Sequence, residues 1–170
     1  MSSQHHAMDT HLESESLHRL REIAATYRWP QLMIVLGFIG LAVAFYDSYA
    51  IYTGQLLWCP PPIDGCNEVA ASPYARIFGL PIGYYGVVYY AYMIGLAALL
   101  AIEPRAKGVQ FAALLYTAVG VLFSAYFLVL QITLIHAFCI YCLVSAIMTV
   151  LLFASAVLHG WSQRHAERRG

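Results

Sequence analysis

Charge is scarce in this chain. Acidic and basic residues make up 11% of its 170 positions, while 61% are hydrophobic. An ordinary soluble domain carries about 25% charged residues, so that class is excluded. The scarcity is concentrated: residues 109–163 contain no Asp, Glu, Lys or Arg. As one helix that run would extend roughly 80 Å at about 1.5 Å per residue, against a bilayer core of about 30 Å. It must fold back on itself, and the polar interruption Gln131, Thr133 and His136 is where it does so. No cleavable signal peptide is evident either. The first apolar segment begins near residue 31, is too long for a signal h-region and has no convincing A-x-A site behind it. It is expected to remain as a membrane anchor.

Four spans fit the hydropathy, at residues 31–52, 81–102, 109–131 and 138–161. Each has roughly 22 to 24 residues, enough to cross with some tilt. The chain is long enough for one small helical membrane domain and no more. The expected fold is therefore all-α: an integral membrane four-helix bundle, with residues 1–28 as a cytoplasmic tail or amphipathic segment, 29–163 as the bundle and 164–170 as a basic tail. Formal net charge is zero, yet its distribution is lopsided. Arg19, Arg21 and Arg28 precede the first span, Arg105 and Lys107 lie between the second and third, and Arg164, Arg168 and Arg169 follow the fourth. Only Arg76 falls on the other side. Eight of nine basic residues on one side make a positive-inside pattern with both termini cytoplasmic. All four cysteines then lie at the outward face, where an oxidising compartment favours disulfide chemistry.

The first 28 residues are polar and rich in histidine (His5, His6, His11, His18). Leu17, Leu20, Ile23, Ala24 and Tyr27 fall at helical spacing, which suits an amphipathic helix on the cytoplasmic surface. In the first outward loop, Pro60-Pro61-Pro62 stiffens the chain after Cys59. Asp64-Gly65 is a turn signal that can bring Cys66 back toward Cys59. Ser72-Pro73-Tyr74-Ala75-Arg76-Ile77-Phe78-Gly79 reads as a short interfacial helix, with Ser72 as N-cap, Pro73 in first position and Gly79 as the stop. Its apolar Tyr74, Ile77 and Phe78 should lie flat over the bundle mouth.

Cys139-Ile140-Tyr141-Cys142 is a CxxC motif just past the reversal, at the start of the fourth helix. That spacing places two sulfurs on one helical face, one turn apart. The positive end of the helix dipole and its unpaired N–H groups favour a thiolate there. A c-type haem site would need His after the second Cys, and Leu143 stands in its place. A zinc ribbon pairs short knuckles, whereas Cys59 and Cys66 are separated by six residues. Redox chemistry is the reading, with an inert structural disulfide as its rival. Cys59 and Cys66 alone suit a loop-stabilising disulfide. Beside a CxxC on the same face they also suit the relay half of a two-disulfide system, passing electrons by thiol–disulfide exchange to a lipid-phase acceptor.

The run from Cys59 and Cys66 through Ser72-Pro73-Tyr74-Ala75-Arg76-Ile77-Phe78-Gly79-Leu80-Pro81 resembles the loop of the vitamin K epoxide reductase family in its prokaryotic branch. So does Ser124-Ala125-Tyr126-Phe127, leading through His136-Ala137-Phe138 to Cys139-Ile140-Tyr141-Cys142-Leu143-Val144-Ser145. The resemblance covers nearly all of residues 31–160. It implies a four-helix bundle around a quinone of the ubiquinone or menaquinone type, set in the cell inner membrane. It also implies a thioredoxin-fold, DsbA-like partner that makes disulfides in exported proteins and is reoxidised here. No nucleic acid is expected among the partners. Carried over, Cys142 faces the quinone, Cys139 exchanges with the loop, Cys59 and Cys66 form the shuttle pair, and Ser72 is the family's loop serine; an N-cap requirement would explain that serine equally. Vertebrate members have a Tyr four residues after the CxxC where this chain has Ala146, which argues against vitamin K epoxide as substrate. The sequence continues about nine residues past Trp161, so the partner is expected to be a separate protein. The DsbB family does the same work with its CxxC in the first outward loop, an order this chain does not follow.

Quinone reduction consumes protons, which directs attention to two residues. His136 lies one turn before Cys139 at the membrane edge, either handling protons or simply facing water. Asp47 is the one charge inside a span, a functional flag; counting about 1.5 Å per residue from Pro30 puts it near the outer interface. Tyr85 and Tyr89, with Tyr84, are candidates to line the quinone pocket, although an interfacial aromatic belt accounts for Tyr84 and Tyr85 as well. The alternatives are a non-catalytic bundle with structural disulfides and a quinone-epoxide reductase.

Overall fold

Long apolar runs with few charges leave helices as the way to satisfy every backbone N–H and C=O inside lipid. The computed structural model describes the backbone of residues 2–61 and 64–168, and the side chains of 27–61, 64–165 and 168. Among the described residues, four helices are long and apolar enough to cross a membrane. The first is Tyr27–Thr53, within α1 (Ser2–Thr53); the second is α3 (Ile82–Ile102). The third, Lys107–Ile135, joins α4 (Lys107–Leu130) to a π-helical turn (Gln131–Ile135); the fourth, Ile140–His165, lies within α5 (Ile140–Glu167). The amphipathic positions Leu17, Leu20, Ile23 and Ala24, the histidines before them, Pro62 and Arg169 lie outside the residues whose side chains are described.

Helix α1 packs most broadly on α3 and then on α5, α5 packs on α4, and α3–α4 is the thinnest of these seams. Lipid is as apolar as leucine, so close packing and polar contacts, rather than water exclusion, hold such a bundle together. Tyr90 shows both. Its ring is buried against α1, where Gly40 has no side chain to obstruct it. Its hydroxyl donates to the Ser145 carbonyl at 2.9 Å and meets Ser145 Oγ at 2.8 Å and Thr149 Oγ1 at 3.2 Å. One phenol thus ties α3 to both α1 and α5. Met33, Met93, Leu100 and Leu152 fill the space around it.

The predicted reversal is present. After the π-helical turn, His136 takes a left-handed conformation (φ 56°, ψ 27°), and the chain runs back into α5. The loop between α1 and α3 departs from expectation. Its helix lies upstream of the predicted one, as α2 (Cys66–Ala71), and a 3₁₀ turn (Pro73–Ala75) follows. Residues 76–81 then form an antiparallel hairpin, β1 (Arg76–Ile77) with β2 (Leu80–Pro81). Phe78 and Gly79 both have positive φ, 50° and 81°, the geometry of a two-residue hairpin turn. Gly79 is therefore a turn glycine rather than a helix stop, and Phe78 points out, exposed, instead of lying over the bundle. Ser72 makes no capping bond; its hydroxyl donates to the Val69 carbonyl at 2.8 Å and closes the end of α2.

Candidate functional site

The four cysteines converge at one end of the bundle. Cys59 and Cys66 are joined by a disulfide with a Cα–Cα distance of 6.3 Å. Asn67, next to Cys66, brackets the loop: its Oδ1 accepts the Leu57 N–H at 2.8 Å and its Nδ2 donates to the Leu57 carbonyl at 3.1 Å. The Tyr141 hydroxyl, inside the CxxC, donates to the Trp58 carbonyl at 2.6 Å. That last bond ties the loop half of the site to the CxxC half.

The two loop sulfurs are not equivalent. Cys59 is half-buried, whereas Cys66 is fully buried in an apolar cluster with Cys139, Leu57, Val69 and Ala137. A Cβ added at Gly65 would stand 2.8 Å from both the Ala137 Cβ and the Phe138 nitrogen. Only glycine lets the loop come this close to the segment that carries Cys139.

Cys139 and Cys142 are free thiols. The Cys139 carbonyl accepts the Leu143 N–H at 3.0 Å, the first bond of the helical ladder, so Cys139 caps α5 as the sequence suggested. Its own N–H donates to Gln131 Oε1 at 2.9 Å, a buried bond that reaches back across the reversal. The Cys139 thiol is held below the ordinary cysteine range, chiefly by the hydrogen bond from the Cys142 thiol. Burial opposes this, the Cys142 and Tyr141 backbone N–H groups reinforce it, and the Asp47 carboxylate works against it.

Cys142 packs against the same cluster but also borders a cavity of about 110 Å³, bounded by α1, α3, α4 and α5, that Cys139 does not line. Apolar Val43, Ile82, Phe123, Phe127 and Leu128 form most of its wall, and Asp47, Ser124, Gln131 and Tyr141 supply the polar atoms. A second chamber of about 550 Å³ lies along the thin α3–α4 seam and shares Gly86, Phe123, Ser124 and Ser145 with the first. Tyr85 and Tyr89 line this second chamber and not the Cys142 cavity. The Tyr85 hydroxyl is used to pin the hairpin, donating to the Ile77 carbonyl at 2.9 Å. Tyr89 stacks on Tyr116, and its hydroxyl has no partner among the described residues. Ser72 and His136 line neither chamber; His136 is exposed at the reversal. Asp47 is buried, as its place in a span suggested, and it borders the Cys142 cavity. Gln131 and Asn67 were missed as site residues. Only the burial of a polar side chain beside a cysteine, visible in three dimensions, singles them out.

A family model described as the vitamin K epoxide reductase family matches residues 31–157. The thiol-disulfide oxidoreductase LTO1 of Arabidopsis thaliana is 35% identical over 118 residues. That alignment takes in 66% of this chain and 31% of the length of the plant protein, so the chain spans under a third of that relative.

Proposed function

This chain belongs to the vitamin K epoxide reductase family, and from that premise we propose that it is a membrane thiol:quinone oxidoreductase. It accepts electrons from a thioredoxin-fold partner of the DsbA kind and supports disulfide formation in exported proteins. The observation that carries this reading is the difference in surroundings of the two CxxC sulfurs: Cys139 is buried in the loop cluster with Cys66, and Cys142 packs on that cluster and also lines the cavity. The positive-inside pattern supports an orientation with the cysteine end on the extracytoplasmic side of the inner membrane.

The cavity suits a quinone. It is mostly apolar, carries a few polar atoms for ring carbonyls, and continues into a seam open toward lipid that has room for an isoprenoid tail. Cys142, Gln131, Asp47 and Tyr141 would hold the ring, and Tyr85 and Tyr89 would flank the tail. When bound, a quinone supplies the two-electron acceptor that allows the Cys139–Cys142 disulfide to re-form. The residues of the chain do the rest. The partner thiolate attacks half-buried Cys59 and releases Cys66. Cys66 attacks Cys139 of the oxidised CxxC across the contact at Gly65, the Cys139–Cys142 bond breaks and Cys142 leaves as thiolate. The partner's second thiol then closes the partner's disulfide and releases Cys59. Cys59 attacks Cys66, re-forms the loop disulfide and frees Cys139. Asp47 is the buried carboxyl available to hold a proton in the cavity. Ala146 lines the cavity without a hydroxyl, which favours a quinone over an epoxide as acceptor.

The test is quinone reduction by the purified protein in proteoliposomes, with a reduced thioredoxin-fold donor and absorbance as the signal. The wild type reduces quinone and Cys142→Ser does not. Undiminished turnover in Cys142→Ser would overturn the assignment.

A further inference from the structure

A third hollow, of about 560 Å³, lies between the start of α4 and the end of α5, remote from the cysteines. Its lining is graded along the two helices. Lys107 opens the third span and Arg164 stands next to the end of the fourth; both line the hollow, and no carboxylate does among the described residues. Leu114 and Val157 line it two turns further in, about 10 Å at 1.5 Å per residue. Gly160 leaves the α5 wall open, since a Cβ added there meets nothing within 4 Å. Gln163 is buried in that wall, and its amide nitrogen has no hydrogen-bond partner among the described residues. Buried donors of this kind are rare and call for an acceptor. The two walls are fastened to each other: the Pro104 carbonyl, just before α4, accepts from Gln110 Nε2 at 2.6 Å and from His159 Nε2 at 3.2 Å.

We propose that this hollow is a binding site for an anionic phospholipid of the cytoplasmic leaflet. The phosphodiester lies at the basic mouth, between Lys107 and Arg164, where the Gln163 N–H gains an oxygen to donate to. An acyl chain runs inward past Leu114 and Val157. Charge and position together choose this occupant. A free phosphate would use the mouth and leave the apolar depth empty. A zwitterionic lipid would fill the depth but bring its own cation against two bases. Basic pockets between spans on the cytoplasmic side suit anionic headgroups, and the positive-inside pattern supports placing this end on that side. The proposal does not depend on the thiol-transfer reading, so either can fail while the other stands.

Trp161 lines the hollow and serves as the reporter. The full chain carrying Trp29→Phe and Trp58→Phe is reconstituted in vesicles of phosphatidylcholine and phosphatidylglycerol, with one lipid or the other bearing brominated chains. Quenching of Trp161 gives the affinity for phosphatidylglycerol relative to phosphatidylcholine, a ratio that cancels changes in the tryptophan's own brightness. A preference of at least tenfold is expected, since each basic side chain near the membrane surface contributes about fivefold. Arg164→Gln should lower it about fivefold. Gly160→Leu, which fills the hollow and keeps both charges, should bring it to within twofold of unity. A preference under twofold in the parent overturns the proposal, as does full preference in Arg164→Gln. So does a preference that survives Gly160→Leu, the outcome of diffuse attraction to a basic surface. Displacement of the brominated phosphatidylglycerol by glycerol phosphate, beyond that caused by sodium chloride of equal ionic strength, assigns the site to a small soluble anion and also overturns it. If Gly160→Leu does not fold, Gly160→Val decides by the same criterion.

Discussion

The two cysteine pairs occupy one end of the same molecule and are built on opposite plans. Cys59 and Cys66 sit in a loop, bridged, with six residues between them and a side-chain bracket from Asn67 holding the legs together. Cys139 and Cys142 sit on the first turn of a helix, unbridged, with backbone positions fixed by the helical ladder and by Gln131. A loop pair can open and let one sulfur travel while the bracket keeps the loop in place. A helix pair can exchange electrons while its backbone stays still. A relay needs one of each, since a carrier must move between partners and a terminus must hold its geometry.

The comparison is broken most severely at Cys142. Cys142→Ser is expected to drop quinone reduction to background, because the helix pair can then no longer close; stopped turnover assays check this. Gly65→Val attacks the contact between the pairs. With Cys59 and Cys142 both changed to Ser, Cys66 and Cys139 should close a disulfide when an oxidant such as diamide is added, and Gly65→Val should slow that closure about a hundredfold, read by peptide mass mapping. Asn67→Ala removes the bracket and leaves the Leu57 N–H without its partner. A loss of about 1–3 kcal/mol is expected, seen as faster exchange of the loop amides. Tyr90→Phe, remote from both pairs, should cost only about 0.6 kcal/mol, the usual worth of a polar contact inside a bundle, measured by denaturation in detergent.

The helix pair also has a pH signature. With its pKa below the ordinary range, Cys139 stays thiolate as pH falls to values where an ordinary cysteine is already protonated, and it loses that form only below its own pKa. In the protein lacking Cys59 and Cys66, alkylation of Cys139 should therefore persist on the acid side of a model thiol. Cys142→Ala removes the largest cause of the shift and should move the profile back toward alkaline pH.

The membrane architecture was legible because hydropathy and charge act over tens of residues. The spans ended close to where the apolar runs ended, and the chain turned at Gln131, Thr133 and His136. The loop was read less well. Pro73 and Gly79 suit a short helix and a hairpin about equally, and the outcome was decided by the Phe78-Gly79 turn and by Tyr85 reaching back to the Ile77 carbonyl. The pairing of the cysteines with their surroundings was partly legible. CxxC at a helix start predicts an activated thiol, but nothing in the spacing says that Cys66 rather than Cys59 is buried beside Cys139. Gln131 was visible only as a polar interruption, because its bond to Cys139 crosses a reversal whose geometry no local pattern specifies.

The burial of Cys66 and Cys139 in one apolar cluster has a consequence for leakage. Both sulfurs are almost wholly covered, so small water-soluble thiols should reach them more slowly than they reach an exposed cysteine. Cys59 is the more accessible of the bridged sulfurs, and an incoming thiol meets it first. On the proposed reading, the buried pair is a shielded wire behind a single accessible contact.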